Sequence, residues 1–155
     1  MSFIVRGVPQ EIADEVRRTR RAPGYGHPAH LELAQGTGPC RCCLRTFIPG
    51  QDQRLLFTYR PESADGSLMA PGPVFIHADH CDAFKGSGFP PGLRSLPLAF
   101  EARASGSRVV GLSVRQGDPP ERQISELFDE QPADWLHLRH AEAGCFIARV
   151  DRAAR

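Results

Sequence analysis

The sequence predicts an α+β fold: a single domain with a mainly antiparallel mixed β-sheet and two main helices. Three observations carry this. Short runs of alternating or continuous apolar residues outnumber helical stripes, and the runs are too short for helices. Only two stretches open with helix-start chemistry, and they stand among the strand candidates in mixed order. No internal repeat and no linker divides the 155 residues, so residues 1–155 are read as one domain, large enough to bury about 68–70% of its unfolded surface.

Taken in order, Ser2 to Gly7 reads as a first strand. Pro9 at the first helical position, followed by Gln10 and Glu11, opens a helix toward Arg20. Ile12 and Val16 stand one turn apart, the narrow stripe of a surface helix, and Arg17, Arg18, Arg20 and Arg21 crowd its C-terminal end, where cations complement the helix dipole. Ala22 to Pro28 is a loop, and His30 to Leu33 a short strand. Arg54 to Arg60 alternates, with Leu55, Phe57 and Tyr59 on one face. Pro61 to Pro71, polar and rich in glycine and serine, is expected to be a mobile loop. Val74 to His77 is β-branched and aromatic, the composition of a central strand buried on both faces.

Leu98 to Arg103 and Val109 to Arg115 form a hairpin around Ala104-Ser105-Gly106-Ser107. Asp118-Pro119-Pro120-Glu121 starts the second helix, with Asp118 as N-cap; Ile124, Leu127 and Phe128 share its inner face and Pro132 ends it. Trp135 to His140 and Cys145 to Asp151 make a last hairpin, with Gly144 available for a positive φ.

Nineteen basic against 18 acidic residues leave a net charge of +1, so no global field argues for nucleic acid. The Arg17–Arg21 run is read as a solvated face, since only Tyr25 stands near it as a stacking partner. No apolar run approaches the roughly 18 residues of a membrane span, and the N-terminus has no signal-peptide core, so the expected location is cytoplasmic. Five cysteines, an odd number, without a secretion signal suggest thiols or metal ligands rather than a disulfide frame.

Four of those cysteines fall in two clusters. Cys40-Arg41-Cys42-Cys43 places a Cys-x-x-Cys pair on one turn, and His77-Ala78-Asp79-His80-Cys81 ends the apolar strand with a second pair of ligand type. Together they fit a tetrahedral Cys₃His zinc site of Cys40, Cys43, His77 and Cys81. His80 competes with His77, and Cys42 with either neighbour. The opposing reading is that these are small buried residues. An iron–sulfur cluster on Cys40, Cys42, Cys43 and Cys81 lacks a recognisable motif. Thiol–disulfide chemistry lacks the helix that should follow the cysteine pair. Cys145 with His137 would be a nucleophile–base pair, but Cys145 reads as a packed strand residue.

The stretches Pro39-Cys40-Arg41, the strand ending at Tyr59, Gly72-Pro73-Val74-Phe75-Ile76-His77-Ala78 and Gly144-Cys145-Phe146-Ile147-Ala148-Arg149-Val150-Asp151-Arg152 resemble the bacterial domain-of-unknown-function family 1203. The resemblance spans nearly the whole chain in order. It implies one small cytoplasmic domain with no established activity, substrate or partner. It also implies that the second cysteine of the pair is not universal, so that a metal is not essential to the fold across the family.

Two functions compete at this level. The first is a non-enzymatic domain with a structural zinc, acting through a partner. The second is a small-molecule enzyme whose pocket is formed by the loops Ala22 to Pro28 and Pro61 to Pro71 and lined by Tyr59, Arg60, His77 and Arg149. A closed four-ligand site separates the first from the second.

Overall fold

The computed structural model describes residues 2–114 and 117–153. Its elements run β1 (Phe3–Arg6), α1 (Gln10–Thr19), β2 (His30–Leu33), β3 (Gln53–Tyr59), β4 (Gly72–His77), β5 (Leu98–Ala104), β6 (Arg108–Val114), α2 (Pro120–Glu130), β7 (Trp135–His140) and β8 (Phe146–Arg152). The strands form two antiparallel sheets, one of five in the order β1-β8-β7-β5-β6 and one of three in the order β2-β3-β4. The α+β class therefore holds, with the strands divided between two sheets. The expected strand end at Arg115 lies outside the described residues.

Period-2 alternation explains both sheets. In β3 Leu55, Phe57 and Tyr59 are buried while their neighbours are half-buried, and in β5 Leu98, Phe100, Ala102 and Ala104 are buried. One core cluster joins the three-stranded sheet to Ala13 and Val16 of α1 and to the cysteine loop. The other packs Ile124, Leu127 and Phe128 of α2 on Phe100, Leu136, Leu138 and Val150 of the five-stranded sheet. Both helices begin one residue later than their prolines suggested. Pro9 and Pro119 occupy the N-cap positions, and Asp118 precedes the cap instead of forming it.

Three further expectations are corrected. β4 is an edge strand of the three-stranded sheet, with Val74 and Ile76 buried and Phe75 only half-buried. Its free edge is covered by the cysteine loop: the Arg41 N–H donates to the Phe75 carbonyl at 2.9 Å and the His77 N–H to Cys40 Sγ at 3.2 Å. The segment 61–71 is tied down at several points. Asp65 accepts from the Ser67 hydroxyl and from the Gly106 and Ser67 N–H groups, which hold its carboxyl well below the usual range, and Met69 is buried. Cys145 lies in the turn before β8 rather than inside the strand, and Gly144 there takes φ 78°.

Candidate metal centre

The Cys40–Cys43 loop is a tight knuckle. The Cys40 N–H donates to the Arg45 carbonyl at 2.8 Å and the Leu44 N–H to the Cys40 carbonyl at 2.9 Å. Closing it puts Leu44 at φ 61°, a conformation uncommon outside glycine. The fully buried Leu44 side chain, packed in the second core cluster, holds that geometry. Gly7 completes the seat. The Val8 N–H donates to the Arg41 carbonyl at 2.7 Å, and a Cβ on Gly7 would stand 2.1 Å from that oxygen.

Arg41 explains why an arginine stands between the cysteines. Its buried guanidinium donates to the Phe146 carbonyl at 2.8 Å and to the Pro39 carbonyl at 2.7 Å, fastening the loop to β8. Burial draws its pKa down to about 10.

The second pair arrives from the end of β4. There the ligand atoms of Cys40, Cys43, His77 and Cys81 lie within 4.8 Å of one another, an arrangement compatible with a metal ion. Cys40 Sγ and Cys81 Sγ are 3.8 Å apart, and Cys43 Sγ is 3.5 Å from His77 Nδ1. All five cysteines are free thiols. The two sequence competitors lie outside this group. Cys42 is buried with its thiol toward the Cys81 carbonyl at 3.7 Å, and His80 is exposed between Asp82 and Asp14.

Charge within the group is polarised. Hydrogen bonds from the Cys40 and Cys81 thiols hold the Cys43 thiol far below its ordinary pKa, and burial pushes Cys40 up. Hydrogen bonding to Cys40 and Cys43 raises His77 to about 10.

Two outer residues were not identified from sequence. Asp52 places Oδ2 3.3 Å from His77 Nε2, on the side of the ring away from the thiols. The sequence places Arg17 on a solvated face. Instead its side chain, 9% exposed, donates to Cys81 Sγ at 2.9 Å and to the His77 carbonyl at 3.0 Å. Burial disfavours its charge, but the Cys81 and Cys42 thiols outweigh that and raise its pKa. Helical period sets Arg17 beside Ala13 and Val16 on the inner face, but an arginine in a basic run carries no sign of a thiol partner.

The four residues proposed to line an enzyme pocket are not brought together. Tyr59 and Arg149 line one cavity of about 370 Å³, His77 belongs to the thiol cluster, and Arg60 is exposed and lines neither. Of the two loops expected to frame that pocket, 61–71 contributes Glu62 and 22–28 contributes nothing. His137 and Cys145 do not form a pair. His137 is fully buried against the Phe146 ring, whereas the Cys145 thiol turns toward the Ala143 carbonyl.

Among the described residues no helix is long and apolar enough to cross a membrane. No curated protein and no solved structure matches the chain. Residues 37–152 match the family described as a protein of unknown function, DUF1203. That match takes in both cysteine clusters, Arg41 and all of the last hairpin, and on it the chain belongs to the DUF1203 family.

Proposed function

We propose that Cys40, Cys43, His77 and Cys81 bind one zinc ion as a structural centre, and that the protein is a non-enzymatic domain working through a partner. The donor spacing carries this reading. A tetrahedral ion with bonds of about 2.3 Å to sulfur and about 2.0–2.1 Å to nitrogen sets sulfur–sulfur edges of about 3.8 Å and sulfur–nitrogen edges of about 3.5 Å. The Cys40–Cys81 and Cys43–His77 separations of 3.8 and 3.5 Å agree with those edges.

The surroundings support it. Three thiolates around Zn²⁺ leave one net negative charge, and the Arg17 guanidinium beside Cys81 Sγ balances it. Asp52 at His77 Nε2 is the carboxylate that commonly orients a ligating imidazole, here with Nδ1 toward the metal. Four protein ligands leave no open position for water, which favours a staple over a catalyst. The staple would join the knuckle to the end of β4, two segments 34 residues apart between Cys43 and His77.

Elemental analysis of protein purified without chelator tests this reading. About one zinc per chain is expected. No stoichiometric metal, or iron in place of zinc, would overturn it.

A further inference from the structure

The cavity of about 370 Å³, lined by none of the four cluster residues, lies where β1, the start of α1, the end of β3 and the start of β8 converge. Its size is that of small-molecule sites, which run from about 300 to 1,000 Å³. Three aromatic rings contribute to its walls, those of Tyr59, Phe84 and Phe146. Three cations do so as well: Arg6, Lys85 and Arg149. Lys85 is the one lysine in a chain with 19 basic residues.

The two guanidiniums are not equivalent. Arg149 is fixed, with Nε and both terminal nitrogens donating to Asp151 and the Glu62 carbonyl. Arg6, with 55% of its side chain exposed, is held through Nε to the same Asp151 carboxylate at 3.1 Å. Among the described residues its terminal nitrogens donate no hydrogen bond, so its fork is left for a planar acceptor. The acidic residues of the lining, Glu11 and Glu62, are exposed, and the cations outnumber them.

A second observation lies behind the wall. His137 packs its ring on that of Phe146, 5.2 Å between centroids, and among the described residues neither ring nitrogen has a hydrogen-bond partner. Its neighbours in register are Arg149 on β8 and Glu101 on β5. Burial first, and then Arg139, Arg103 and Arg149, depresses its pKa to about 3, so the ring is held neutral behind the wall.

We propose that this cavity binds a small organic anion with a flat apolar body, an aromatic carboxylate in chemical class. The rings take the flat body, and the Arg6 fork with Lys85 takes the carboxylate. Fluorescence titration of the full chain with naphthoate, naphthylmethanol and inorganic phosphate tests this. Naphthoate should saturate and bind about tenfold tighter than either the neutral alcohol or phosphate. Arg6→Gln should weaken naphthoate by about fivefold or more without changing the circular dichroism spectrum. Lys85→Gln, at an exposed position, gives the same reading if Arg6→Gln does not fold. Absence of saturable naphthoate binding, equal binding of the alcohol or of phosphate, or unchanged affinity in the folded variants would overturn the proposal. None of the lining residues is one of the four proposed zinc ligands, so naphthoate binding and metal content are separate readouts.

Discussion

Cys42 and Cys43 are adjacent and both buried, yet they face different surroundings. Cys43 Sγ meets His77 Nδ1, while the Cys42 thiol turns toward the Cys81 carbonyl. If zinc is bound as proposed, the two serine variants should part. Cys43→Ser should lower the melting temperature as much as chelator does, because a serine hydroxyl is a poor zinc ligand at neutral pH. The expected loss is about 2.7 kcal/mol or more for zinc at a hundredfold excess over its Kd. Cys42→Ser should keep both the metal and its stabilisation. Thermal melts of wild type with and without chelator, beside both variants, decide it. Equal melting temperatures throughout would leave the cysteines as ordinary thiols, and greater damage from Cys42→Ser would exchange their roles.

Among the elements, β4 behaves least as its composition suggests. Val74-Phe75-Ile76 reads as a doubly buried strand, and on that reading Phe75→Ala would cost about 3–5 kcal/mol. In the structure Phe75 is half-buried under the Arg54 guanidinium, 3.9 Å from the ring centroid, and Ile76 is fully buried. Ile76→Ala should therefore cost about 2–5 kcal/mol, and Phe75→Ala less than Ile76→Ala. Urea denaturation of the two variants measures this directly. A larger loss at Phe75 would mean that its face is covered by more than Arg54 and the edge-on Phe47 ring.

At the scale of the whole molecule, His137 ties stability to pH. Its folded pKa of about 3 lies below the ordinary 6.5, so the unfolded chain binds the extra proton between those values. Its contribution is complete above about pH 6.5 and is lost as pH falls toward the folded value. Arg103 on β5, Arg139 on β7 and Arg149 on β8 all raise the cost of charging it. Replacing it with an uncharged residue, His137→Leu, should flatten the acid limb of the stability profile by up to about 1.4 kcal/mol per pH unit. Denaturant midpoints from pH 7 to pH 4 check this. Parallel profiles for wild type and variant would place a water or another acceptor on the buried ring.

What the sequence determined by itself was local. Alternation marked Leu55, Phe57 and Tyr59 as one buried face, prolines marked the start of both helices to within one residue, and Gly144 marked the last turn. Ligand chemistry also showed, because Cys-x-x-Cys and His-x-x-x-Cys are spacings within one turn and one strand end. Tertiary structure alone decided that the two clusters meet, that Arg17 and Asp52 stand behind them, and that Tyr59 and Arg149 share a cavity from which Arg60 and His77 are absent. It also decided that the strands divide into two sheets and that β4 is an edge, protected by a loop beginning at Pro39. The physical reason is range. Side-chain period and turn chemistry act over a few residues, whereas the contact of Arg17 with Cys81 joins positions 64 residues apart. No period in the chain encodes such a contact. It exists only because α1 and the end of β4 pack into one core.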